Sequence, residues 1–172
     1  DEEDLIEEQK VAISLTHLGY LKRIPADTYK TQRRGGKGIM GLTTRENDFV
    51  TNLLVTSTHD ELMFFTNTGK AHKIKAYEIP EASRTAKGTP AVNFLNLMQR
   101  ERISAVIPFK PSKEEEYLIA VTKKGTIKKT AVSQFDTNRK TGRIAISLKD
   151  GDELVAIRQT SGSDNVLIIT KN

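Results

Sequence analysis

The sequence predicts an all-β chain: a propeller-like array of repeats of about 50 residues, each with four strands. Three observations carry this. One apolar–Thr-x-x-Gly–basic pattern occurs three times; the apolar runs are short and β-rich; and no 3.6-residue apolar stripe lasts beyond about two turns.

The pattern is read in VAISLTHLGYLKRI (Val11 to Ile24), ELMFFTNTGKAHKI (Glu61 to Ile74) and YLIAVTKKGTIKKT (Tyr117 to Thr130). Its glycines, Gly19, Gly69 and Gly125, are 50 and 56 positions apart, and a basic pair follows each at three and four residues: Lys22/Arg23, His72/Lys73 and Lys128/Lys129. Each copy is expected to be a hairpin whose glycine supplies the positive φ of a tight turn. Runs such as Leu62–Thr66 and Leu118–Thr122 alternate too little to have one wet face, so both faces are expected to be covered.

The rest of each repeat also recurs. Polar loops (Pro25–Lys37, Pro80–Lys87, Gln134–Thr141) lead to short strands starting near Gly38, Gly88 and Gly142. Final strands are expected at Phe49–Thr56, Arg102–Pro108 and Glu153–Arg158. Repeats therefore fall near 10–58, 59–114 and 115–163, with a fourth opening in 164–172 as NVLIITKN. Such blades cannot bury their faces alone, so neighbours must stack, and three and a fraction of them form a partial disc. The helical candidates are short, Asp1–Gln9 and Ala26–Lys30, and residues 1–9 read as an acidic linker.

The 172 residues hold no Cys, which excludes disulfides, thiolate zinc sites and Cys nucleophiles. No apolar run reaches the ~18–20 residues of a membrane span. The net charge of +5 conceals an asymmetry: Asp1 to Glu8 hold six acidic groups, and the remainder carries 27 Lys and Arg against 16 acids, a net of +11. A body so charged attracts polyanions by releasing their counterions. The three histidines, His17, His59 and His72, are too scattered for a metal motif, although His72 sits in a basic-pair slot suited to phosphate. Asp150, Asp152 and Glu153 read as a solvated turn. Neither the tyrosines nor the serines have a catalytic partner pattern, and no phosphate-loop spacing is present.

The densest cationic segment is Gln32-Arg33-Arg34-Gly35-Gly36-Lys37-Gly38. Its glycines let backbone approach phosphate, its arginines can bind phosphate oxygens in a bidentate manner, and Lys37 adds a mobile charge. Later repeats carry weaker versions at the same place, Ser83-Arg84-Thr85-Ala86-Lys87-Gly88 and Asn138-Arg139-Lys140-Thr141-Gly142-Arg143. Basic loops recurring at one structural position are expected to line one edge. Arg33, Arg34 and Lys37, with Lys22, Arg23, Lys73, Arg84, Lys87, Lys128, Lys129, Arg139, Lys140 and Arg143, are the candidate contacts to nucleic-acid phosphates; that the first three lock one end of a DNA wrap and the others guide it is what the family resemblance given below implies. Bending duplex DNA by 40–90° over 20–30 bp costs roughly 1–6 kcal/mol, and anchors repeated once per blade offset that cost step by step. Such contacts are to phosphate, so weak sequence preference and steep salt dependence are expected.

With Gly19-Tyr20-Leu21-Lys22-Arg23 ahead of it, the stretch Tyr29 to Gly38 resembles the C-terminal domain of the bacterial DNA gyrase A subunit, and Gln32 to Gly38 matches that family's signature box at every position. The resemblance runs from about residue 5 to the end. It implies a β-pinwheel whose blades exchange strands and whose basic rim wraps duplex DNA, which gives negative supercoiling in the whole enzyme. It further implies a non-catalytic domain with no cofactor of its own. ATP and Mg²⁺ would belong to the holoenzyme, the partners would be the breakage–reunion core and the gyrase B subunit, and the location would be the bacterial cytoplasm, at the nucleoid. The alternatives are the DNA-geometry-sensing C-terminal domain of topoisomerase IV, in which the box is degenerate or missing, and a propeller-like protein-interaction scaffold.

Overall fold

The computed structural model describes residues 2–27, 47–110, 115–136 and 142–160. The regular elements of the described chain are strands joined by turns and a few short 3-10 segments, the strands in the order β1 (Lys10–Thr16), β2 (Tyr20–Pro25), β3 (Val50–Ser57), β4 (Glu61–Thr66), β5 (Lys70–Lys75), β6 (Thr89–Pro90), β7 (Ile103–Phe109), β8 (Tyr117–Thr122), β9 (Ile127–Ala131), β10 (Arg143–Ile144) and β11 (Leu154–Thr160). The expected hairpins are β1–β2, β4–β5 and β8–β9, all antiparallel. The expected final strands are β3, β7 and β11, and each pairs with the first strand of its own repeat.

The short third strand behaves differently. The sheets run β3-β1-β2-β6, β10-β5-β4-β7 and β11-β8-β9. Thr89–Pro90 of the second repeat therefore completes the first blade, and Arg143–Ile144 of the third completes the second. The strand expected after Gly38 lies outside the described residues. Of the helical candidates, residues 1–9 yield a 3-10 turn at Glu2–Leu5, and Ala26–Asp27 are helical while 28–30 lie outside the described residues.

Successive side chains of a strand point to opposite faces, and in β4 both faces are dry. Leu62 and Phe64 pack with Val11, Ile13, Leu15 and Leu21 of the first blade. Met63 and Phe65 pack with Leu118, Ala120, Phe135 and Leu154 of the third. Phe64 and Phe65 are fully buried, each worth roughly 1.5–3 kcal/mol relative to exposure. The unbroken apolar run of the sequence is thus the signature of a blade between two others.

The Thr-x-x-Gly turns share one hydrogen-bond scheme. Gly19, Gly69 and Gly125 donate their N–H to the carbonyls of Thr16, Thr66 and Thr122 at 2.9, 3.0 and 3.0 Å. The same threonine hydroxyls accept the N–H of Tyr20, Lys70 and Thr126 at 3.2, 3.3 and 3.0 Å. Opposite each threonine the final strand skips one residue, Thr51, Ser104 and Val155, a bulge that bends the strand where the turn begins. At Gly69 the turn also meets its neighbour: φ is +87°, and a Cβ would stand 2.3 Å from the Ile146 carbonyl oxygen.

A carboxylate caps each turn from just ahead of the final strand. Asp48 accepts the N–H of Leu18 at 3.0 Å and of Phe49 at 2.9 Å. Glu101 accepts the Thr66 hydroxyl at 2.7 Å, the Thr68 hydroxyl, and the Met98 N–H at 3.0 Å. Asp152 accepts the N–H of Lys124 and Glu153, both at 2.9 Å. Desolvation opposes the charged form in all three, yet the hydrogen bonds outweigh it and hold each carboxyl below its ordinary value. Asp152, expected to be mere solvation, is a turn cap.

Candidate nucleic-acid interface

Of the cations expected along a DNA path, the basic pairs differ most from expectation. A lysine can be buried only if its three donors find acceptors. Lys22 meets that condition: 4% exposed, it donates from Nζ to the carbonyls of Ser83 (3.3 Å), Arg84 (2.7 Å) and Ala86 (2.9 Å). Burial pushes its pKa below the ordinary lysine value. Arg23 donates from Nε to the Ile79 carbonyl at 2.8 Å. Lys73, 6% exposed, repeats that contact with the Phe135 carbonyl at 2.9 Å and stands over the Phe109 ring at 4.6 Å.

Lys22 and Lys73 are corrections: both are buried in the seams between blades, and their charge serves carbonyls of the next repeat. Arg23 is half-buried and spends Nε on a carbonyl of that repeat. His72, expected in a phosphate-facing slot, is 1% exposed and accepts the Gly142 N–H at Nδ1, 3.2 Å. Desolvation lowers its pKa, so the ring is held in its neutral form. Sequence spacing located the pairs correctly but could not tell a charge aimed at solvent from one aimed at a carbonyl.

The third pair is open. Lys128 and Lys129 are exposed on β9, an edge strand of the described sheets. The Nζ of Lys128 is 3.5 Å from the Ala145 carbonyl, and that of Lys129 lies 4.1 Å over the Tyr117 ring. The basic loop of the second repeat is also presented outward. Lys87 is exposed, with its ammonium 4.0 Å over Tyr20, and Arg84 is half-buried. Arg143 is half-buried, with its guanidinium 5.0 Å over Phe135. Gln32, Arg33, Arg34, Gly35, Gly36, Lys37, Gly38, Arg139 and Lys140 lie outside the described residues.

The acidic head docks on the second blade. Thr58 donates its hydroxyl to the Glu7 carbonyl (2.8 Å) and its N–H to Gln9 (2.9 Å), Nε2 of His59 donates to the Ile6 carbonyl (2.7 Å), and Lys75 pairs with Glu3 at 3.4 Å. Among the described residues no group of His, Cys, Asp and Glu is arranged to hold a metal ion. No helix among them is long and apolar enough to cross a membrane.

Consecutive blades that exchange a short strand define a β-pinwheel repeat domain. The family described as "DNA gyrase C-terminal domain, beta-propeller" matches three times, over residues 12–57, 60–110 and 116–161. The chain belongs to that family. It is 56% identical over 170 residues to the DNA gyrase A subunit of Clostridium acetobutylicum, covering 99% of this chain and 20% of that protein. With its counterpart in Staphylococcus aureus (strain MRSA252) it shares 46% over 173 residues, 100% of this chain and 20% of that one. The chain thus spans about a fifth of the length of these relatives.

Among solved structures, the C-terminal domain of a DNA topoisomerase IV superposes with a TM-score of 0.77 at 25% identity, covering 91% of this chain and 47% of that one. A DNA gyrase A C-terminal domain superposes with 0.61 at 24% identity, covering 88% and 48%. The fold is common to both enzymes; the relatives at 56% and 46% sequence identity are gyrase subunits.

Proposed function

We propose that this chain is the DNA-wrapping part of a gyrase A subunit, binding duplex DNA along a basic edge without catalysing a reaction itself. The observation that carries this reading is the threefold family match, joined to 56% identity with a gyrase A subunit. The intact Gln32–Gly38 box supports it, as do the exposed cations Lys87, Lys128 and Lys129.

In the whole enzyme the wrapped segment is presented to the breakage–reunion core of the same polypeptide. The gyrase B subunit contributes ATP hydrolysis, with Mg²⁺, in the bacterial cytoplasm. This chain supplies binding and curvature: phosphate contacts offset the bending cost and carry little base information. Triple replacement of Arg33, Arg34 and Lys37 by alanine in the reconstituted gyrase holoenzyme tests the proposal. Supercoiling is expected to be lost while ATP-dependent relaxation persists; normal supercoiling by that variant would overturn the reading. Ligation of a nicked circle on the wild-type protein separates it from the topoisomerase IV role, since only a wrapping domain traps substantial writhe.

A further inference from the structure

Lys22 presents a geometry that its burial alone does not require. Its ammonium gathers three carbonyls from one five-residue loop of the next repeat, those of Ser83, Arg84 and Ala86. A trans peptide is planar, with its N–H directed opposite to its C=O. Drawing those three carbonyls inward therefore turns outward the N–H groups of the same peptides, which belong to Arg84, Thr85 and Lys87. None of the three N–H groups donates a hydrogen bond among the described residues, whereas Ala86, whose preceding carbonyl is not held, donates to Ser83 at 3.2 Å.

The loop thus shows a row of unspent backbone donors on its outer side. The Thr85 hydroxyl lies beside them, 3.3 Å from that of Ser83. Exposed Lys87 and half-buried Arg84 flank the row, and Nη1 of Arg84 is enclosed and has no acceptor. Successive outward amides with adjacent cations form an anion-binding concavity. Gly88 closes the loop: its φ is +91°, and a Cβ there would stand 2.5 Å from the Leu21 carbonyl oxygen, so the loop is seated tightly on the strand that carries Lys22.

We propose that Ser83–Lys87 is a phosphate-binding site for the DNA backbone, and that Lys22 is its positioning residue, acting from inside the seam without touching DNA. This rests on the DNA-wrapping reading and deepens it. The corresponding place in the second blade is held by His72, which accepts one N–H, from Gly142.

The test uses the reconstituted gyrase holoenzyme and a duplex of about 150 bp, with binding measured from about 50 to 200 mM salt. Arg84→Ala with Lys87→Ala is expected to lower affinity about tenfold or more and to lessen the salt slope by about 2. Lys22→Met, with its melting checked, is expected to lower affinity and slope by a similar amount. Added to the double variant, it is expected to cost nothing further, because its effect passes through the same loop. A folded Lys22→Met protein that binds as wild type, or a triple variant that falls well below the double, would overturn the inference.

Should Lys22→Met fail to fold, replacing the Thr85 peptide N–H by an ester oxygen removes one outward donor and weakens, without removing, the Arg84 carbonyl as an acceptor of Lys22. A several-fold loss of affinity is expected, and none would overturn the inference. A shallow salt slope and no trapped writhe in the wild-type enzyme would instead refute the wrapping reading itself.

Discussion

Lys73 donates from Nζ to the carbonyl oxygen of Phe135 at 2.9 Å, across 62 positions of sequence. Arg23 makes the corresponding contact with Ile79 one repeat earlier. Two residues that resemble DNA contacts are thus rivets between consecutive blades. Replacing Lys73 by Met would leave the Phe135 carbonyl without that donor, a loss of about 1–3 kcal/mol. Urea unfolding is expected to show it as a lower midpoint, with DNA affinity of the folded protein nearly unchanged.

Lys128 and Lys129 should behave in the opposite way. Both are exposed on β9, so paired alanine replacement is expected to leave the melting temperature within a degree or two, since exposed charges contribute little to stability. DNA affinity is expected to fall and the salt slope to lessen by about 1 for each lost phosphate contact. Filter binding across a salt series checks this directly.

Gly69 and Gly125 share nearly the same backbone, φ +87° and +89°, but not the same neighbourhood. A Cβ at Gly125 meets nothing within 4 Å, so Gly125→Ala is expected to cost only about 1 kcal/mol of backbone strain. At Gly69 it would meet the Ile146 carbonyl oxygen at 2.3 Å and force the third repeat away from the second blade. Gly69→Ala is expected to cost several times more, about 3 kcal/mol or beyond, read by chemical denaturation of the two variants side by side.

The turn-capping carboxylates set an acid limit. Asp48, Glu101 and Asp152 each hold a folded pKa below the ordinary value, 3.8 for the aspartates and 4.5 for the glutamate. Above those values the stabilisation is complete; below them the unfolded chain binds more protons, so stability falls as pH drops toward the folded pKa values. Melting temperature is expected to be flat near neutrality and to decline below about pH 4.5. Glu101→Gln is expected to be less stable at neutral pH and to show a shallower decline, which a pH series of thermal melts resolves.

The hairpins and final strands were legible because a tight turn needs its glycine and a strand covered on both faces needs its apolar run, and both are local demands. The carboxylate caps were not, although Asp48, Glu101 and Asp152 recur at 53 and 51 positions, in step with Val50, Ile103 and Val155. An acid some 30 residues from the threonine it serves looks like any surface acid until the chain is folded. Lys22 and Lys73 were misread for a related reason. Charge says that a partner is needed, and only topology says whether that partner is water, phosphate or the carbonyl of a neighbouring blade. The crossing of Thr89–Pro90 into the first blade was implied by family resemblance and not by any local signal, since two residues carry no periodicity.

That crossing makes the segment that recurs in sequence a different object from the segment that folds. A duplication of 50 or so residues copies three strands for its own blade and one for the blade before it, so inserting or deleting a repeat leaves no orphaned half-sheet inside the row. Tension applied along the chain between Tyr20 and Thr89 must shear a ladder that joins neighbours before either blade is pulled apart. A row linked in this way resists being unstacked by the stiff molecule it is proposed to bend.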